Sequence, residues 1–431
     1  MNVLFLSLID FETFYERNIY SDLLREFIKN GHSVNCISPI ERRRNQKTRL
    51  LRFRSSTSLG VDSALKNNFN SNENTILKLK IGNTQKINLI EKGISTLCIE
   101  SLFIRGIKIY YSDIKFDLVL YATPPITFAK VIQFVKQRDG AKSYLMLKDI
   151  FPQNSLDLGI LTKTGVMGLI YKYFREKEKH LYTLSDKIGC MSQGNIDYVL
   201  KHNPEVSKDK VKICPNCVEP IDMRVSVEEK IEIRRKYGLP VDKKIFIYGG
   251  NLGKPQDVPF IVECLKSYGY KGNVGEEQIG LNNAYFVIAG SGTDRHFLEE
   301  YVENDKPNYV KLFNFIPKAE YDKMIACCDV GLIFLDHRFT IPNFPSRLLS
   351  YMQAGLPVLV CTDKNTDIGH VVVGDGFGWW CESDDADGFA LLVAKICNAT
   401  SLDDMSKAAF DVLVNEFNVR HSYRQIIESF D

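Results

Sequence analysis

The sequence predicts an α/β protein of two doubly wound, Rossmann-like parallel-sheet domains that face a cleft. Short runs that are apolar throughout alternate with helical patterns, which is typical of a parallel sheet covered by helices on both faces. The alternation restarts after a linker near 215–225, and a chain of 431 residues is too long for one ordinary core. Ligands of such folds bind where the parallel strands end.

The first predicted domain covers residues 1–215, and a helix at 416–431 is expected to return to it. Helical patterns at 18–29 and 126–138 follow apolar runs, and the pattern at 165–183 has one apolar face. The predicted strands are VLFLSLI (3–9), SVNCIS (33–38), DLVLYAT (117–123), SYLMLK (143–148), KIGCMS (187–192) and KVKICP (210–215). The residues of the apolar face are Val166, Leu169, Ile170, Tyr173, Phe174 and Leu181.

The second predicted domain covers residues 216–415 and contains five predicted strands separated by helices. These strands are KKIFIYGG (243–250), AYFVIAGSG (284–292), YVKLFNFI (309–316), DVGLIFL (329–335) and PVLVCT (357–362). The repeated order of strand and helix predicts a parallel sheet in this domain as well.

The net charge of +2 argues against a nucleic-acid role, but the charge is unevenly distributed. Between Glu41 and Arg54 seven lysines or arginines accompany one glutamate, a local net charge of +6. Such a run is either a solvated loop or a patch that faces anions. A membrane surface fits the second alternative better than DNA does, because Leu50, Leu51 and Phe53 alternate with the basic residues.

The location expected from the sequence is the cytoplasm. No run is long and apolar enough to span a bilayer, and the start MNVLFLSLIDFE is typical of a strand and not of a signal peptide. Eleven cysteines without a secretion signal indicate reduced thiols. Cys214 and Cys217 have the spacing of a redox or zinc pair, but no second pair completes a metal site.

Three segments that follow strands of the second domain point to a ligand. YGGNLGKPQD places Lys254 after three glycines, and is either a phosphate-binding turn or a tight turn with a solvated lysine. AGSGTD is a second turn of this kind. NFPSRLLSYMQAGLPVLV starts a predicted ten-residue helix at Pro345, followed by Ser346 and Arg347. Together they predict a ligand with a diphosphate, although the G-x-G-x-x-G fingerprint and the P-loop are both missing.

In this order, IYGGNLGKPQD, VIAGSGTD, CCDVGLIFL and PSRLLSYMQAGLPVLV resemble the nucleotide-sugar half of retaining glycosyltransferases of family four, which have the GT-B fold. LYATPP and LKDIFPQNSLDLGIL resemble a branch that acts in bacterial O-antigen and capsule assembly and includes N-acetylfucosaminyltransferases. The resemblance covers nearly the whole chain. Its motifs are more specific in the second half than in the first.

The resemblance implies roles for individual residues. Lys254 and Arg347 would stabilise the leaving diphosphate of a sugar donor, and backbone groups near Phe315 would bind the base. Family members need no metal, and no metal ion or cofactor is expected here, in agreement with the lack of a DxD segment. The donor-binding residues implied are Gly250, Asn251, Gly253, Lys254, Gly290, Phe315, Ile316, Ser346, Arg347 and Ser350.

The chain departs from the family pattern at two acidic positions. Many members carry two glutamates across the helix that follows the phosphate-binding segment, and these would fall at Pro342 and Ser350. Ser350 shares a helix face with Ser346 and supplies one hydrogen-bonding group in place of a carboxylate. Members with Lys in place of Arg347 depart similarly, so we interpret this as variation and not as loss of activity.

In the first domain, Asp149 directly follows a strand. Its carboxylate is either a base that accepts a proton from the acceptor hydroxyl or a cap of the turn before Pro152.

The expected function is transfer, with retention, of an N-acetylhexosaminyl, hexosyl or deoxyhexosaminyl group from a nucleotide-diphosphate donor, expected to be UDP-linked. The expected acceptor is a lipid-diphosphate-linked saccharide at the inner face of the cytoplasmic membrane. There the basic residues of 42–54 and of 165–183 would attract anionic lipid. Two alternatives are a nucleotide-sugar 2-epimerase and a non-catalytic nucleotide-sugar-binding partner of an assembly complex.

Overall fold

A computed structural model describes residues 1–54, 73–83, 89–273 and 283–430, and the chain forms two compact units. The first unit consists of Met1–Pro152, Leu161–Glu219 and Val419–Asp431. The second unit consists of Gln153–Ile160 and Pro220–Asn418. Each unit has its own sheet and its own buried core.

The first unit is built on an eight-stranded sheet of order β3-β4-β2-β1-β5-β6-β7-β8. All neighbouring strands are parallel except β3, which pairs antiparallel with β4. The strands are β1 (Asn2–Leu6), β2 (Ser33–Glu41), β3 (Arg49–Arg54), β4 (Glu73–Ile81), β5 (Leu118–Ala122), β6 (Lys142–Leu147), β7 (Lys187–Cys190) and β8 (Val211–Ile213).

The helices of this unit start where the sequence offers a cap or a break in the apolar run. The Asn18 side chain accepts hydrogen bonds from the backbone N–H groups of Tyr20 and Ser21 and so caps α1. The C-terminal helix, α15, packs on α1 within this unit. The helices are α1 (Ile19–Lys29), α2 (Leu89–Tyr110), α3 (Ala129–Asp139), α5 (Gly165–Leu184), α6 (Gln193–His202) and α15 (Val419–Glu428).

The second unit is built on a six-stranded, wholly parallel sheet of order β11-β10-β9-β12-β13-β14. The strands are β9 (Lys244–Asn251), β10 (Ala284–Ser291), β11 (Val310–Phe313), β12 (Val330–Phe334), β13 (Val358–Thr362) and β14 (Gly378–Glu382). The helices are α4 (Gln153–Asp157), α7 (Val227–Lys236), α8 (Val258–Asn273), α9 (His296–Asp305), α10 (Lys318–Ala326), α11 (Arg347–Gln353), α12 (Ile368–Gly374), α13 (Ala386–Cys397) and α14 (Leu402–Glu416). The predicted fold of two doubly wound parallel-sheet domains is confirmed.

Two expectations about elements were wrong. The basic run is not only a loop, because Arg49–Arg54 is a strand whose Leu51 and Phe53 pack against the core. The second sheet has a sixth strand, β14, whose two tryptophans and polar neighbours gave a weak apolar signal. The helix predicted at 165–183 is present as α5, and its apolar face is partly packed, since Leu181 is buried whereas Val166 and Leu169 are exposed.

The structure also bears on the cysteines and on the membrane-spanning potential of the helices. All eleven cysteines are free thiols, and Cys214 and Cys217 are both buried in the core of the first unit. Among the described helices, none has the length and apolar character needed to cross a membrane.

A fully buried lysine fixes the loop that follows β1. The Lys78 side chain has no exposed surface, and its Nζ pairs with the carboxylate of Asp10 and donates to the backbone oxygen of Phe11 at 3.0 Å. Asp10 also pairs with Arg44. A buried ammonium is tolerated only when it is paired in this way, so the loop at the carboxyl end of β1 is held to the sheet.

We expect Lys78→Met to lower the free energy of unfolding by about 3 kcal/mol, because the substitution leaves Asp10 without its buried partner. The matched control is Lys80→Met, since Lys80 lies on the same strand with an exposed side chain. Urea unfolding followed by circular dichroism measures both variants. Equal effects of the two substitutions would contradict the stated role of the buried pair.

Candidate functional site

The candidate site lies at the carboxyl ends of β9 and β10 in the second unit, where two backbones approach closely. A Cβ atom at Gly249 would lie 1.6 Å from the hydroxyl of Tyr321, and a Cβ atom at Gly290 would lie 1.9 Å from the carbonyl oxygen of Gly250. Only glycine fits at both positions. The backbones of the two strands therefore meet directly at Gly290 and Gly250, and the side chain of Tyr321 packs against Gly249.

The turn after β9 presents Lys254 to solvent. The side-chain oxygen of Gln256 accepts hydrogen bonds from Asn251 Nδ2 at 2.8 Å and from the backbone N–H of Gly253 at 3.4 Å, which holds the turn in shape. Within the described parts of the chain, the Lys254 ammonium makes no hydrogen bond or ion pair. The turn thus carries a positive charge whose partner is water or a ligand.

Arg347 is held beside this turn. Its guanidinium lies over the ring of Tyr248, 4.4 Å from the ring centroid, and its Nη2 is 3.3 Å from the position of a Cβ atom at Gly250. Its Nη1 is buried and has no hydrogen-bond partner among the described residues. A buried N–H donor without an acceptor is costly, and a charged one more so. An anion in contact with Nη1 would remove that cost.

The hydroxyl of Tyr351 joins the helix of Arg347 to two strands. It lies 3.1 Å from the carbonyl oxygens of Ile247 and Leu332, and it accepts a hydrogen bond from the backbone N–H of Gly249 at 3.2 Å. Because Tyr351 lies one turn after Arg347 on α11, these bonds fix the position from which the guanidinium extends.

The helix itself differs from the expectation. α11 has seven residues and not ten, and Ser346 is its N-cap residue, so Pro345 precedes the helix instead of opening it. The Ser346 side chain is exposed and makes no capping hydrogen bond. Ser350 lies one turn further along the same helix, with a half-buried side chain. A two-turn helix has a weak dipole, so the guanidinium carries more of the case for an anion than the helix terminus does.

Arg295 fastens the ends of β10 and β11 together, a contact that the sequence did not indicate. Its Nη1 donates to the carbonyl oxygens of Gly290 and Phe313, the latter at 2.8 Å, and its Nη2 donates to Asn314 Oδ1 at 2.9 Å. The next residue in the loop, Phe315, is 80% exposed, and Ile316 is half-buried. The predicted base-binding loop therefore presents an aromatic ring from a fixed backbone.

Two carboxylates near the turn were also missed by the sequence interpretation. Asp257 and Asp336 lie with His337 in a group whose ligand atoms are within 4.8 Å of one another. Burial, and then the charge of Asp336, raise the pKa of Asp257. Asp336 already accepts hydrogen bonds from Arg338 Nε at 2.8 Å and from Arg338 Nη2. The guanidinium of Arg338 thus supplies the positive charge that this carboxylate requires.

In the first unit, Asp149 is half-buried two residues beyond β6, and its backbone oxygen accepts a hydrogen bond from Thr123 Oγ1 at 3.0 Å. Nearby on α5, Glu178 is buried. Its carboxylate accepts hydrogen bonds from Arg175 Nη1 and from the Tyr182 hydroxyl, both at 2.7 Å, and the charge of Asp149 acts on it. Burial raises the pKa of Glu178 to about 7, although Arg175 and Tyr182 act against that shift.

Part of the second unit matches a described protein family, and longer stretches of the chain resemble individual proteins. Residues 229–411, which include Lys254 and Arg347, match the family described as glycosyl transferases group 1. A probable glycosyltransferase, WbjE from Pseudomonas aeruginosa, is 23% identical over 320 residues, which are 74% of this chain and 75% of that protein. A putative colanic acid biosynthesis glycosyl transferase, WcaI from Escherichia coli K12, is 20% identical over 60% of each chain.

Among solved structures, HepE from Anabaena in complex with UDP and glucose is similar with a TM-score of 0.65 and 12% sequence identity, over 100% of this chain and 99% of that one. This likeness agrees with the predicted GT-B fold class, and the sequence matches support a glycosyltransferase. The branch of the family stays a prediction.

The pKa of Glu178 leads to a pH dependence of stability. A carboxyl whose pKa is higher in the folded state contributes stability that is complete below pH 4.5 and is lost as the pH rises through about 7. Between about pH 5 and about pH 8, the free energy of unfolding of wild type should therefore fall by up to roughly 3 kcal/mol relative to that of Glu178→Gln. The size follows from about 1.4 kcal/mol for each unit of pKa difference between the folded and unfolded states.

Urea unfolding of both proteins at the two pH values measures this difference. Glu176→Gln, on the exposed side of the same helix, is the control and should follow wild type. A difference between wild type and Glu178→Gln that does not change with pH would show that Glu178 keeps its usual pKa.

Proposed function

We propose that the chain is a retaining glycosyltransferase that moves an N-acetylhexosaminyl, hexosyl or deoxyhexosaminyl group from a UDP-linked donor to a lipid-linked saccharide in bacterial surface polysaccharide (O-antigen or capsule) synthesis. The observation that carries the proposal is the buried Nη1 of Arg347, which lacks an acceptor among the described residues. It lies beside the glycine-rich turn of Lys254, in the segment that matches group 1 glycosyl transferases.

Arg347 and Lys254 would act on the leaving group. When the bond between the anomeric carbon and the diphosphate oxygen breaks, negative charge grows on that oxygen. A guanidinium that is already in place can stabilise the charge without reorganisation, and a flexible exposed lysine can close on it. The backbone of Gly250 and Gly253, with Asn251, Ser346 and Ser350, would complete the diphosphate and ribose contacts.

The nucleoside would lie against the loop that Arg295 fixes. Gly290 keeps the end of β10 free of side chains, and backbone groups of Phe315 and Ile316 would contact the base. A UDP donor is favoured because a structural neighbour, HepE, binds UDP. That likeness is one of fold, so the choice of nucleotide belongs to the proposal.

The acceptor half of the proposal concerns the first unit. Asp149 is proposed as the group that takes the proton of the acceptor hydroxyl. It follows the carboxyl end of β6, and parallel sheets bind their ligands at the carboxyl ends of strands. A lipid-linked acceptor implies a cytoplasmic protein that attaches peripherally to the inner face of the membrane through 42–54 and 165–183. Support for the polysaccharide pathway comes from the relative in colanic acid synthesis.

We also propose that the reaction needs no metal ion. Arg347 and Lys254 provide two positive charges near the proposed diphosphate, and Asp336 is paired with Arg338. The absent glutamate pair would also suit a non-catalytic nucleotide-sugar-binding protein. Incubation of UDP-sugars with and without membrane acceptor separates transfer from epimerisation and from binding alone.

Calorimetric titration with UDP, GDP and ADP in EDTA tests the donor site. We expect UDP to bind without metal, and we expect Arg347→Ala to weaken it at least about tenfold, or roughly 1.4 kcal/mol, because a charge-assisted contact is lost. Arg235→Ala, at an exposed position of α7, is the control. If folded wild type binds none of the three nucleotides, or if Arg347→Ala binds UDP as wild type does, the proposed role of Arg347 is wrong.

Arg295→Met tests the nucleoside half separately. The loop at Phe315 should lose its fixed backbone, so UDP should bind about tenfold more weakly while inorganic pyrophosphate binds as it does to wild type. Glu299→Gln is the control, because the Glu299 carboxylate accepts from Nε of Arg295, whereas Nη1 and Nη2 make the contacts with the strand ends and the loop. Equal weakening of UDP and pyrophosphate would place the effect of Arg295 on the whole site instead.

A further inference from the structure

The first half of α5 exposes apolar side chains that the first unit does not cover. Val166 is 72% exposed, Leu169 is 67% exposed and Tyr173 is 46% exposed. Their spacing of three and four residues places them on one face of the helix. Met167, which is 41% exposed, lies at the edge of this face. We call Val166, Leu169 and Tyr173 the apolar ridge of α5.

The ridge is an ordered part of the helix. The second half of α5 is held in the unit by buried Leu181 and Tyr182 and by the bonds of Glu178. At the start, a Cβ atom at Gly168 would lie 2.6 Å from the carbonyl oxygen of Lys163, so the helix packs tightly on the segment before it. The ridge is thus held on a rigid helix. Its exposure to water is unfavourable, because apolar surface is stabilised by removal from water.

The charges around the ridge are mostly positive. Lys163 and Lys172 are exposed, and the Nζ of Lys177 lies 5.7 Å from the ring centroid of Tyr173. Arg175 is largely buried and its Nη1 lies 2.7 Å from Glu178, so it does not add to the exposed charge of the ridge. Glu176 is the one exposed acidic residue of α5, a helix that the structure describes in full.

The basic run at 42–54 does not offer a comparable surface. Its Leu51 and Phe53 pack against the core of the unit. Four of its arginines have acidic partners within the unit: the pairs are Arg43–Glu41, Arg44–Asp10, Arg49–Glu12 and Arg52–Glu73. An apolar surface with unneutralised lysines therefore occurs at α5 and not at this run.

We propose that the apolar ridge of α5 inserts into the headgroup region of an anionic lipid bilayer, with Lys163, Lys172 and Lys177 against the lipid phosphates. Helices that combine an apolar face with flanking lysines bind at the surface of anionic membranes. A second copy of this chain is disfavoured as the occupant, because a two-fold contact would bring the same lysines together. The inference rests on the proposed lipid-linked acceptor, which such docking would bring to the first unit.

Vesicle flotation of the full chain tests the proposal. One set of vesicles is phosphatidylcholine alone, and the other contains a quarter phosphatidylglycerol. We expect wild type to bind the anionic vesicles at least about tenfold more tightly, and the double variant Val166→Ser with Leu169→Ser to lose at least about tenfold of that binding. Lys163→Gln with Lys172→Gln should lower binding to anionic vesicles and reduce its salt dependence.

The control is Ile109→Ser, since Ile109 is 57% exposed on α2 of the same unit and lies outside the ridge. Circular dichroism and UDP titration of each variant report folding and the donor site independently of lipid. Equal binding to both vesicle types, or an equal loss in the Ile109 control, would overturn the proposal.

Analytical sedimentation of wild type and of the double serine variant measures the oligomeric state and so tests whether the ridge binds a second copy of the chain. A wild-type dimer that the double serine variant dissociates would assign the ridge to a second copy and so overturn the proposal. Wild type that binds UDP but not anionic vesicles would refute the insertion and leave the donor site standing. Wild type that binds vesicles but not UDP would refute the donor site instead.

Discussion

The candidate site depends on the burial of one guanidinium, that of Arg347, against the ring of Tyr248. A guanidinium stays charged under all ordinary conditions, so the surrounding residues must accommodate the charge. The aromatic ring covers one face, and Gly250 leaves room beside it. Tyr351 fixes the helix from which it extends. Gly249 and Gly290 allow the neighbouring groups to pack closely, because a Cβ atom at Gly249 would collide with the ring of Tyr321 and one at Gly290 with the backbone of Gly250.

Much of the fold could be predicted because the apolar runs of a parallel sheet are long and uninterrupted. β9, β10, β12 and β13 are recognisable in the sequence for this reason. β3 was missed because an edge strand rich in arginine has the composition of a loop, and β14 was missed because a strand of five residues with Gly378 and Glu382 has little apolar signal. The exposed half of α5 could not be predicted at all, since helical periodicity shows an apolar face but not what covers it.

The candidate site could be predicted from the sequence only where a short segment contains residues that mark a turn of the backbone. Glycines and a proline mark turns, and they led to Lys254 and Arg347. The stacking of Arg347 on Tyr248, the contact of Arg295 with Phe313, and the group of Asp257 with Asp336 all join residues of different strands or loops. Such pairings depend on strand order, which no single segment encodes. The rise in the pKa of Glu178 likewise depends on burial by other elements.

The antiparallel strand β3 has a consequence for the behaviour of the chain in a crowded cell. Among the described strands it forms one edge of the first sheet, and the backbone groups of an edge strand can pair with a strand of another molecule. Arg49 and Arg52 carry charge along this edge and are held there by Glu12 and Glu73. A second chain that extended the sheet would have to remove water from these ion pairs, which is costly. Within the described strands, the basic run thus gives the first sheet a charged edge, a feature that disfavours edge-to-edge pairing.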